Sequence, residues 1–211
     1  MNKLSIIIPA HNLEGYIGDC LRSIAAQDYD MNKVQVICVP DSCTDGTERE
    51  IERTAQETGI HVFMVNVENG NCGLSRNYGL AYAEGDWVWF IDGDDLIVRP
   101  DALAKIEAAA TGDIVRPTKY LHGKTVEEAM TIKTMLDAYS FIVRKDFIGG
   151  ELFRKEDGIF ESLRFFDKLL KRSPQIVRIE EPIYFYRTPR EGSVLYNHRK
   201  ATAALRVGTP Q

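Results

Sequence analysis

The first 91 residues alternate between short apolar runs and amphipathic stretches, and this alternation is the strongest constraint on the fold. Leu4–Ile8 is an unbroken apolar run, typical of a strand that is buried on both faces of a parallel sheet. Similar runs follow at Val34–Val39, Ile60–Val65 and Trp87–Ile91. Helical patterns lie between them, at Ile17–Ala25 after a capping Asn12, from an Asp45/Glu48 capping box to about Glu57, and at Leu74–Ala83. This order predicts an α/β fold built on an open, mostly parallel sheet with right-handed crossovers.

The pattern loosens after Pro100. The sequence predicts a helix from Ala102 to Ala110, a second helix through Leu136 that opens at a Thr125/Glu128 capping box, and a third over Leu163–Leu170. Short strands are predicted at Ile114–Val115, Phe141–Val143, Ile176–Ile179 and Ile183–Phe185. We therefore expect two halves of one domain: a nucleotide-binding α/β half over residues 1–98, and a mixed, partly antiparallel half over residues 99–211.

Charged side chains are unevenly divided along the chain. Residues 1–100 carry 7 Lys and Arg against 16 Asp and Glu, whereas residues 101–211 carry 19 against 15. The acidic first half has no basic patch among its motifs, so no nucleic-acid partner is expected. The basic second half fits an anionic acceptor or a peripheral membrane contact, and scattered solvated lysines explain it equally well.

The sequence has no features of a membrane-spanning or secreted protein. No apolar run approaches the roughly 18 residues that cross a bilayer, and Leu4–Pro9 is too short for a signal peptide. The 4 cysteines have no CxxC spacing and no nearby histidine cluster, which disfavours a zinc site. We expect a protein with reduced cysteines, in the cytoplasm or at the inner face of the membrane.

Polar loops follow each of the first four predicted strands. Because ligands of open α/β sheets bind beyond the carboxyl ends of the strands, these loops are expected to line one site. They are Pro9–Glu14, Asp41–Gly46, Asn69–Asn77 and Asp92–Asp95.

The loop Asp92-Gly93-Asp94-Asp95 is the most specific of the four. Its three carboxylates repel one another unless they are hydrated, protonated or bridged by a cation. One or two carboxylates together with substrate phosphates commonly hold Mg²⁺ or Mn²⁺, and Gly93 permits close backbone approach. An Asx turn that ends the strand is the simpler interpretation of the same residues.

Other loop residues have both a binding and a structural interpretation. Asp41 is suited to accept hydrogen bonds from a base or a ribose, or to cap the next helix, whereas Asp45 is better placed as a cap. Arg76 lies at a helix start in a glycine-rich loop, so it is suited to bind a phosphate or a pyrimidine carbonyl. A surface arginine that binds no ligand is an equally good interpretation. His11 has no partner for a metal site, and Tyr184–Tyr186 alternate like a half-buried strand.

From Leu4 to Val194 the chain resembles a family 2 glycosyltransferase with the GT-A fold. The matching segments are Leu4–Asn12, Asp41–Gly46, Gly73–Leu80, Phe90–Asp95 and Glu181–Arg187. The resemblance implies transfer of a sugar from a nucleotide donor, usually UDP-linked, to a hydroxyl group of a glycan or lipid-linked acceptor, with inversion at the anomeric carbon. It also implies Mg²⁺ or Mn²⁺ as the cofactor.

The resemblance assigns roles to individual residues. Pro9, His11, Glu14 and Asp41 would contact the base and the ribose. Arg76 and Gly93 would lie near the nucleotide, Asp92 near the ribose or the metal, and Asp94 on the metal itself. A carboxylate would remove the proton of the acceptor hydroxyl as the new bond forms.

The chain departs from the family pattern where the catalytic base is usually found. The family carries a Glu-Asp pair before the last long helix, and this chain reads Glu161-Ser162. Glu161 is then the candidate base, with capping of the helix as its structural interpretation and Asp157 as the rival base. The alternative is a catalytically impaired nucleotide-sugar-binding protein, which would bind the donor without releasing UDP.

Two other enzyme classes fit less well. A phosphatase of the haloacid-dehalogenase kind carries its Asp-x-Asp after the first strand, whereas here Asp92 follows the fourth. A sugar nucleotidyltransferase needs a glycine-rich first loop with a basic residue, and Pro9–Glu14 contains neither lysine nor arginine.

Overall fold

The computed structural model describes residues 1–133 and 137–188 of the chain. The strands are Leu4–Ala10 (β1), Val34–Pro40 (β2), Val62–Met64 (β3), Trp87–Phe90 (β4), Leu96–Ile97 (β5), Ile114–Pro117 (β6), Lys119–Gly123 (β7), Met130–Lys133 (β8), Ile142–Arg144 (β9), Ile176–Ile179 (β10) and Tyr184–Arg187 (β11). The α-helices are Ile17–Ala25 (α1), Thr47–Thr58 (α2), Cys72–Ala81 (α3), Ala102–Ala109 (α4), Lys145–Ile148 (α5) and Glu161–Leu170 (α6).

Within these residues, seven strands form the central sheet in the order β10-β6-β9-β4-β1-β2-β3. β1 pairs in parallel with both β2 and β4, and β6 pairs in parallel with β10. β9 is antiparallel to its neighbours β4 and β6, so those two strands run in the same direction. The predicted open, mostly parallel α/β sheet is confirmed.

Apolar residues pack on both faces of this sheet. Ile6 and Ile8 of β1 face a core that includes residues of α1, α2 and α4, whereas Ile7 faces one built with α6. All seven residues of β1 are buried, as its unbroken apolar sequence predicts. No helix of the described ranges is long and apolar enough to span a bilayer.

A second, smaller sheet corrects one prediction. Over the described residues it has the order β5-β11-β7-β8, with β7 antiparallel to β8. The prediction of a helix that opens at a Thr125/Glu128 capping box is therefore wrong for the residues up to Lys133. The predicted end of that helix, Leu136, lies outside the described residues. Pairing of β8 with β7 outweighs the local helix signal, because sheet partners are set by tertiary contacts.

Two predicted helix caps are also wrong. Asn12 has a positive φ of 51° and its Oδ1 accepts a hydrogen bond from Thr44 N, while α1 begins only at Ile17. The predicted Asp45/Glu48 box is shifted, because Gly46 is the N-cap of α2. Asp45 still accepts a hydrogen bond from Thr47 N, so it contributes to the start of α2 from one position earlier.

Candidate active site

The loops after β1 and β2 meet at the carboxyl edge of the parallel sheet. Pro9 is buried within β1 and pairs with Val39 of β2. His11 is exposed, and its Nδ1 lies 2.7 Å from the backbone oxygen of Asp41. This contact joins two of the four loops that the sequence places at one edge.

Asp41 connects this edge to the loop before α3. Its side chain is buried and accepts hydrogen bonds from the backbone N–H groups of Asn69, Gly70 and Asn71 and from the hydroxyls of Ser42 and Ser75. Burial alone would raise the pKa of Asp41, but these hydrogen bonds lower it to about 2. The Asp41 carboxylate thus fixes the loop 69–71 in place.

Arg76 is the centre of a buried charge cluster. Its side chain is 5% exposed, which excludes the interpretation as a surface arginine. One terminal nitrogen donates to Asp92 Oδ1 at 2.8 Å, and the other donates to Glu161 Oε1 at 2.9 Å. Arg76 therefore joins the loop Asp92–Asp95 after β4, called the acid loop below, to the first residue of α6. Arg76 and that residue are 85 positions apart in the sequence.

Polar atoms at this edge also lack partners within the described residues. Arg76 Nε and Asn69 Nδ2 are buried without a hydrogen bond. Buried donors are nearly always satisfied in folded proteins. Arg76 contacts Asp92, and Asn69 lies in the segment that Asp41 binds, so a ligand with acceptor oxygens, such as a nucleoside diphosphate, would suit this edge of the sheet.

Asp95 does not face this edge. It is fully buried and accepts hydrogen bonds from Tyr184 Oη at 2.7 Å and from Arg187 N at 2.8 Å. Burial raises the pKa of Asp95, and the neighbouring carboxylates of Asp94 and Asp92 raise it further. Of the three acidic residues in the loop, this one joins the loop to β11.

Tyr184 is a site-supporting residue that the sequence analysis missed. The alternating pattern of β11 predicts that its ring is buried, which is correct. Its hydroxyl, however, also accepts a hydrogen bond from Asp92 N at 3.1 Å, so it bridges both ends of the acid loop. No sequence signal distinguishes a tyrosine that anchors a loop from one that fills a core.

Two other predicted binding residues have clear structural contacts. A Cβ at Gly93 would lie 2.9 Å from side-chain atoms of Leu13 and Ile17, so a side chain there would collide with the apolar core. The Glu14 carboxylate accepts hydrogen bonds from Gly46 N and Arg49 at the start of α2. Gly93 directly follows Asp92 of the Arg76 cluster, whereas Glu14 makes no hydrogen bond to that cluster within the described residues.

The donor groups at this edge fit a divalent cation that is shared with a substrate. Within the described ranges, no group of three or more His, Cys, Asp or Glu side chains could hold a metal ion by itself. Asp92 and Asp94 lie two residues apart, and Arg76 contacts only Oδ1 of Asp92. Two carboxylates completed by substrate phosphates are a common arrangement for Mg²⁺ and Mn²⁺.

The structure separates the two predicted bases. Glu161 lies in the Arg76 cluster with a side chain 13% exposed, and within the described residues no hydrogen bond reaches its Oε2. Ser162 Oγ lies 3.4 Å from the same Arg76 nitrogen. Asp157 lies in a 3₁₀ segment, Lys155–Phe160, and no hydrogen bond or ion pair of the described residues joins its side chain to the cluster.

Asp137 is a further carboxylate near the cluster. Tyr139 Oη donates a hydrogen bond to it at 3.1 Å. Burial raises the pKa of Asp137, and the charges of Asp92 and Glu161 raise it further, while Tyr139 and Arg76 oppose the shift. The sequence analysis missed it because it follows directly after the predicted helix that ends at Leu136.

A comparison with protein families identifies the chain. The model of the family "Glycosyl transferase family 2" matches residues 5–169, which include the acid loop, Arg76 and Glu161. The chain belongs to glycosyl transferase family 2. The resemblance found in the sequence motifs is thereby confirmed.

Curated members of family 2 resemble the chain over most of its length. Poly(ribitol-phosphate) beta-N-acetylglucosaminyltransferase TarS of Staphylococcus aureus is 28% identical over 91% of the chain, which covers 36% of TarS. Minor teichoic acid biosynthesis protein GgaB of Bacillus subtilis is 27% identical over 93% of the chain, which covers 24% of GgaB. The chain thus spans about a third or less of the length of these relatives.

Solved structures of family 2 and similar proteins share the fold. S. aureus TarS 1-349 in complex with UDP-GlcNAc has a TM-score of 0.75 at 24% identity, over 90% of this chain and 60% of that one. Mannosyltransferase PcManGT from Pyrobaculum calidifontis, in complex with GDP-Man and Mn2+, has a TM-score of 0.74 at 20% identity, over 99% of this chain and 66% of that one. The GT-A fold expected from the sequence is confirmed.

Proposed function

We propose that this family 2 chain is an inverting glycosyltransferase that moves a sugar from a UDP-linked donor to a hydroxyl group of a glycan, a lipid-linked glycan or a polyol-phosphate polymer. The observation that carries the proposal is the buried Arg76, which holds Asp92 and Glu161 together at the carboxyl edge of the sheet. The names of the relatives support the choice of substrates. TarS is a poly(ribitol-phosphate) N-acetylglucosaminyltransferase, and one of its structures holds UDP-GlcNAc.

In this proposal the donor lies across the first half of the chain, residues 1–98. Pro9, His11 and Asp41 line the nucleoside end, with the loop 69–71 held in place by the Asp41 carboxylate. Asp92 and Asp94 would hold a divalent cation, Mg²⁺ or Mn²⁺, which would offset the negative charge on the departing diphosphate. Arg76, which contacts Asp92, would lie close to the donor diphosphate and offset part of its negative charge.

The acceptor would approach from residues 99–211. Its hydroxyl oxygen forms a bond to the anomeric carbon while the bond from that carbon to the diphosphate oxygen breaks, and the electron pair leaves with UDP. Glu161 receives the hydroxyl proton through Oε2, while Arg76 fixes the orientation of its carboxylate. Asp137 is the rival base because it is half-buried and near the same cluster.

A binding protein without transferase activity is the second candidate. It is favoured by Ser162, which stands where the family usually has its catalytic aspartate and cannot act as a base at neutral pH. In this case UDP-sugars would bind with a divalent cation but would not be turned over.

Release of UDP distinguishes the two candidates. UDP-GlcNAc, UDP-glucose and other UDP-sugars are incubated with Mn²⁺ and a panel of glycan and ribitol-phosphate acceptors, and the free UDP is quantified. We expect acceptor-dependent release and a product whose NMR spectrum shows the anomeric configuration opposite to that of the donor. Tight donor binding without UDP release, with or without any acceptor, would support the binding protein instead.

A further inference from the structure

Two arginines stand side by side at the outer edge of the central sheet. Arg116 of β6 and Arg178 of β10 are partners in the parallel register, so their side chains emerge on the same face. The Arg116 guanidinium lies 5.1 Å from the ring centre of Phe141, and that ring stacks on Phe166 of α6. The pair therefore flanks α6, whose first residue is Glu161.

Neither guanidinium has an acidic partner among the residues that the structure describes. Within residues 1–133 and 137–188, neither Arg116 nor Arg178 makes a side-chain hydrogen bond or an ion pair, and Nε of Arg116 is buried without a partner. Glu180 is two residues from Arg178, but its Oε2 accepts a hydrogen bond from Thr118 at 3.0 Å. Burial lowers the pKa of Arg116, and the charge of Arg178 lowers it further.

This arrangement is unfavourable unless something binds there. A buried donor without an acceptor costs free energy, and two adjacent cations repel each other. Arg76, which is more deeply buried than Arg116, is by contrast satisfied by two carboxylates. An anion held between Arg116 and Arg178 would neutralise both charges.

The position of the pair connects it with the proposed acceptor side. β6 and β10 run in the same direction as β4, so their carboxyl ends lie at the same edge as the acid loop. β9 alone separates β6 from β4 in the sheet. Arg116 and Arg178 thus lie on the side of α6 that is away from β1, β2 and β3, where the donor nucleoside is proposed to bind.

We propose that Arg116 and Arg178 form a subsite for a phosphate group carried by the acceptor. Guanidinium groups bind phosphate through paired, charge-assisted hydrogen bonds, which suits one half-buried and one exposed arginine on the same face. The inference rests on the proposed transferase function and specifies the acceptor: it is a phosphate-bearing polyol or glycan and not a neutral sugar.

Binding of a labelled ribitol-phosphate oligomer tests the subsite, measured by fluorescence anisotropy without donor or metal. A neutral malto-oligosaccharide of similar length is the comparison ligand. The variants are Arg116→Gln, Arg178→Gln and the double variant. Arg53→Gln is the control, because it removes the same charge from α2, which packs on the opposite face of the sheet.

We expect the wild type to prefer the ribitol-phosphate oligomer and the double variant to bind it at least about tenfold more weakly, with Arg53→Gln within about twofold. Arg178 is exposed, so Arg178→Gln keeps the test informative even if Arg116→Gln fails to fold. Unchanged binding in the double variant, an equal loss in Arg53→Gln, or binding to anionic lipid vesicles but not to the oligomer would overturn the proposal.

A separate titration keeps the subsite apart from the proposed function. UDP is titrated with Mn²⁺ in the wild type and in the double variant, and we expect equal affinities. A wild type that binds the oligomer but not UDP contradicts the transferase proposal alone, whereas the reverse result contradicts the subsite alone. With active enzyme, the double variant should raise KM for the phosphate-bearing acceptor and leave KM for the donor unchanged.

Discussion

At the residue scale, Asp41 shows what a motif can and cannot predict. Its place after β2 is evident from the sequence, but its five hydrogen-bond donors come from Ser42 and from the segment 69–75, brought there by the fold. Because these bonds hold the pKa of Asp41 at about 2, against an ordinary value of 3.8, the ionised carboxylate stabilises the folded state.

Replacement of Asp41 by asparagine therefore has a pH-dependent cost. We expect Asp41→Asn to lower the free energy of unfolding by about 2 kcal/mol at pH 7, because the amide cannot accept all five hydrogen bonds. The stabilisation by Asp41 is fully present above pH 3.8 and is lost as the pH falls through about 2, so the difference should shrink by about half at pH 3. Urea unfolding at several pH values measures it, and a difference that does not change between pH 7 and pH 3 would contradict this origin.

The catalytic base is also decided at the residue scale. We expect Glu161→Gln to reduce transfer by about 10²–10⁴-fold and to leave UDP binding nearly unchanged, because glutamine can still accept a hydrogen bond from Arg76. Asp137→Asn is the matched variant, and it should retain most of the activity. If Asp137→Asn loses the activity and Glu161→Gln keeps it, the roles of the two carboxylates are reversed.

At the element scale, β11 determines the shape of the acid loop. The sequence predicts this strand from its apolar residues, but the hydrogen bonds from Tyr184 and Arg187 to the loop depend on the pairing of β11 with β5 and β7. In the same sheet, the pairing of β8 with β7 produces a strand where a helix is expected. Local patterns therefore predict that β11 is a strand, whereas its hydrogen bonds to the acid loop depend on its long-range partners.

Removal of one hydroxyl tests this anchoring. Tyr184→Phe leaves Asp95 Oδ2 and Asp92 N without their partner, so we expect a loss of roughly 1–3 kcal/mol in unfolding free energy. We also expect UDP affinity in the presence of Mn²⁺ to fall by about threefold or more, while affinity without metal changes little. Tyr186→Phe is the control, since its hydroxyl makes no hydrogen bond in the described part of the chain, and an equal effect in both variants would argue against anchoring by Tyr184.

At the scale of the whole molecule, the sequence predicts the direction of the strands better than their partners. The alternating pattern over the first 91 residues indicates that the strands around β1 are parallel. Each helix must bring the chain back to the edge of the sheet where the preceding strand began, so the next strand runs in the same direction. The insertion of antiparallel β9 between β4 and β6 has no comparable signal. The same holds for the site. The acid loop and Arg76 are evident as candidates from the sequence, but the contact of Arg76 with Glu161 depends on how α6 packs.

The most direct test of the account is whether metal and nucleotide bind together at the acid loop. UDP is titrated by calorimetry into the wild type, Asp94→Asn and the control Asp146→Asn, each with and without Mn²⁺. Asp146 is exposed and follows the antiparallel β9, so it lies at the opposite edge of the sheet. We predict that Mn²⁺ strengthens UDP binding by about tenfold or more in the wild type and in Asp146→Asn, and that Asp94→Asn loses this gain. Equal UDP affinity with and without Mn²⁺, or a full Mn²⁺ effect in Asp94→Asn, would contradict the account.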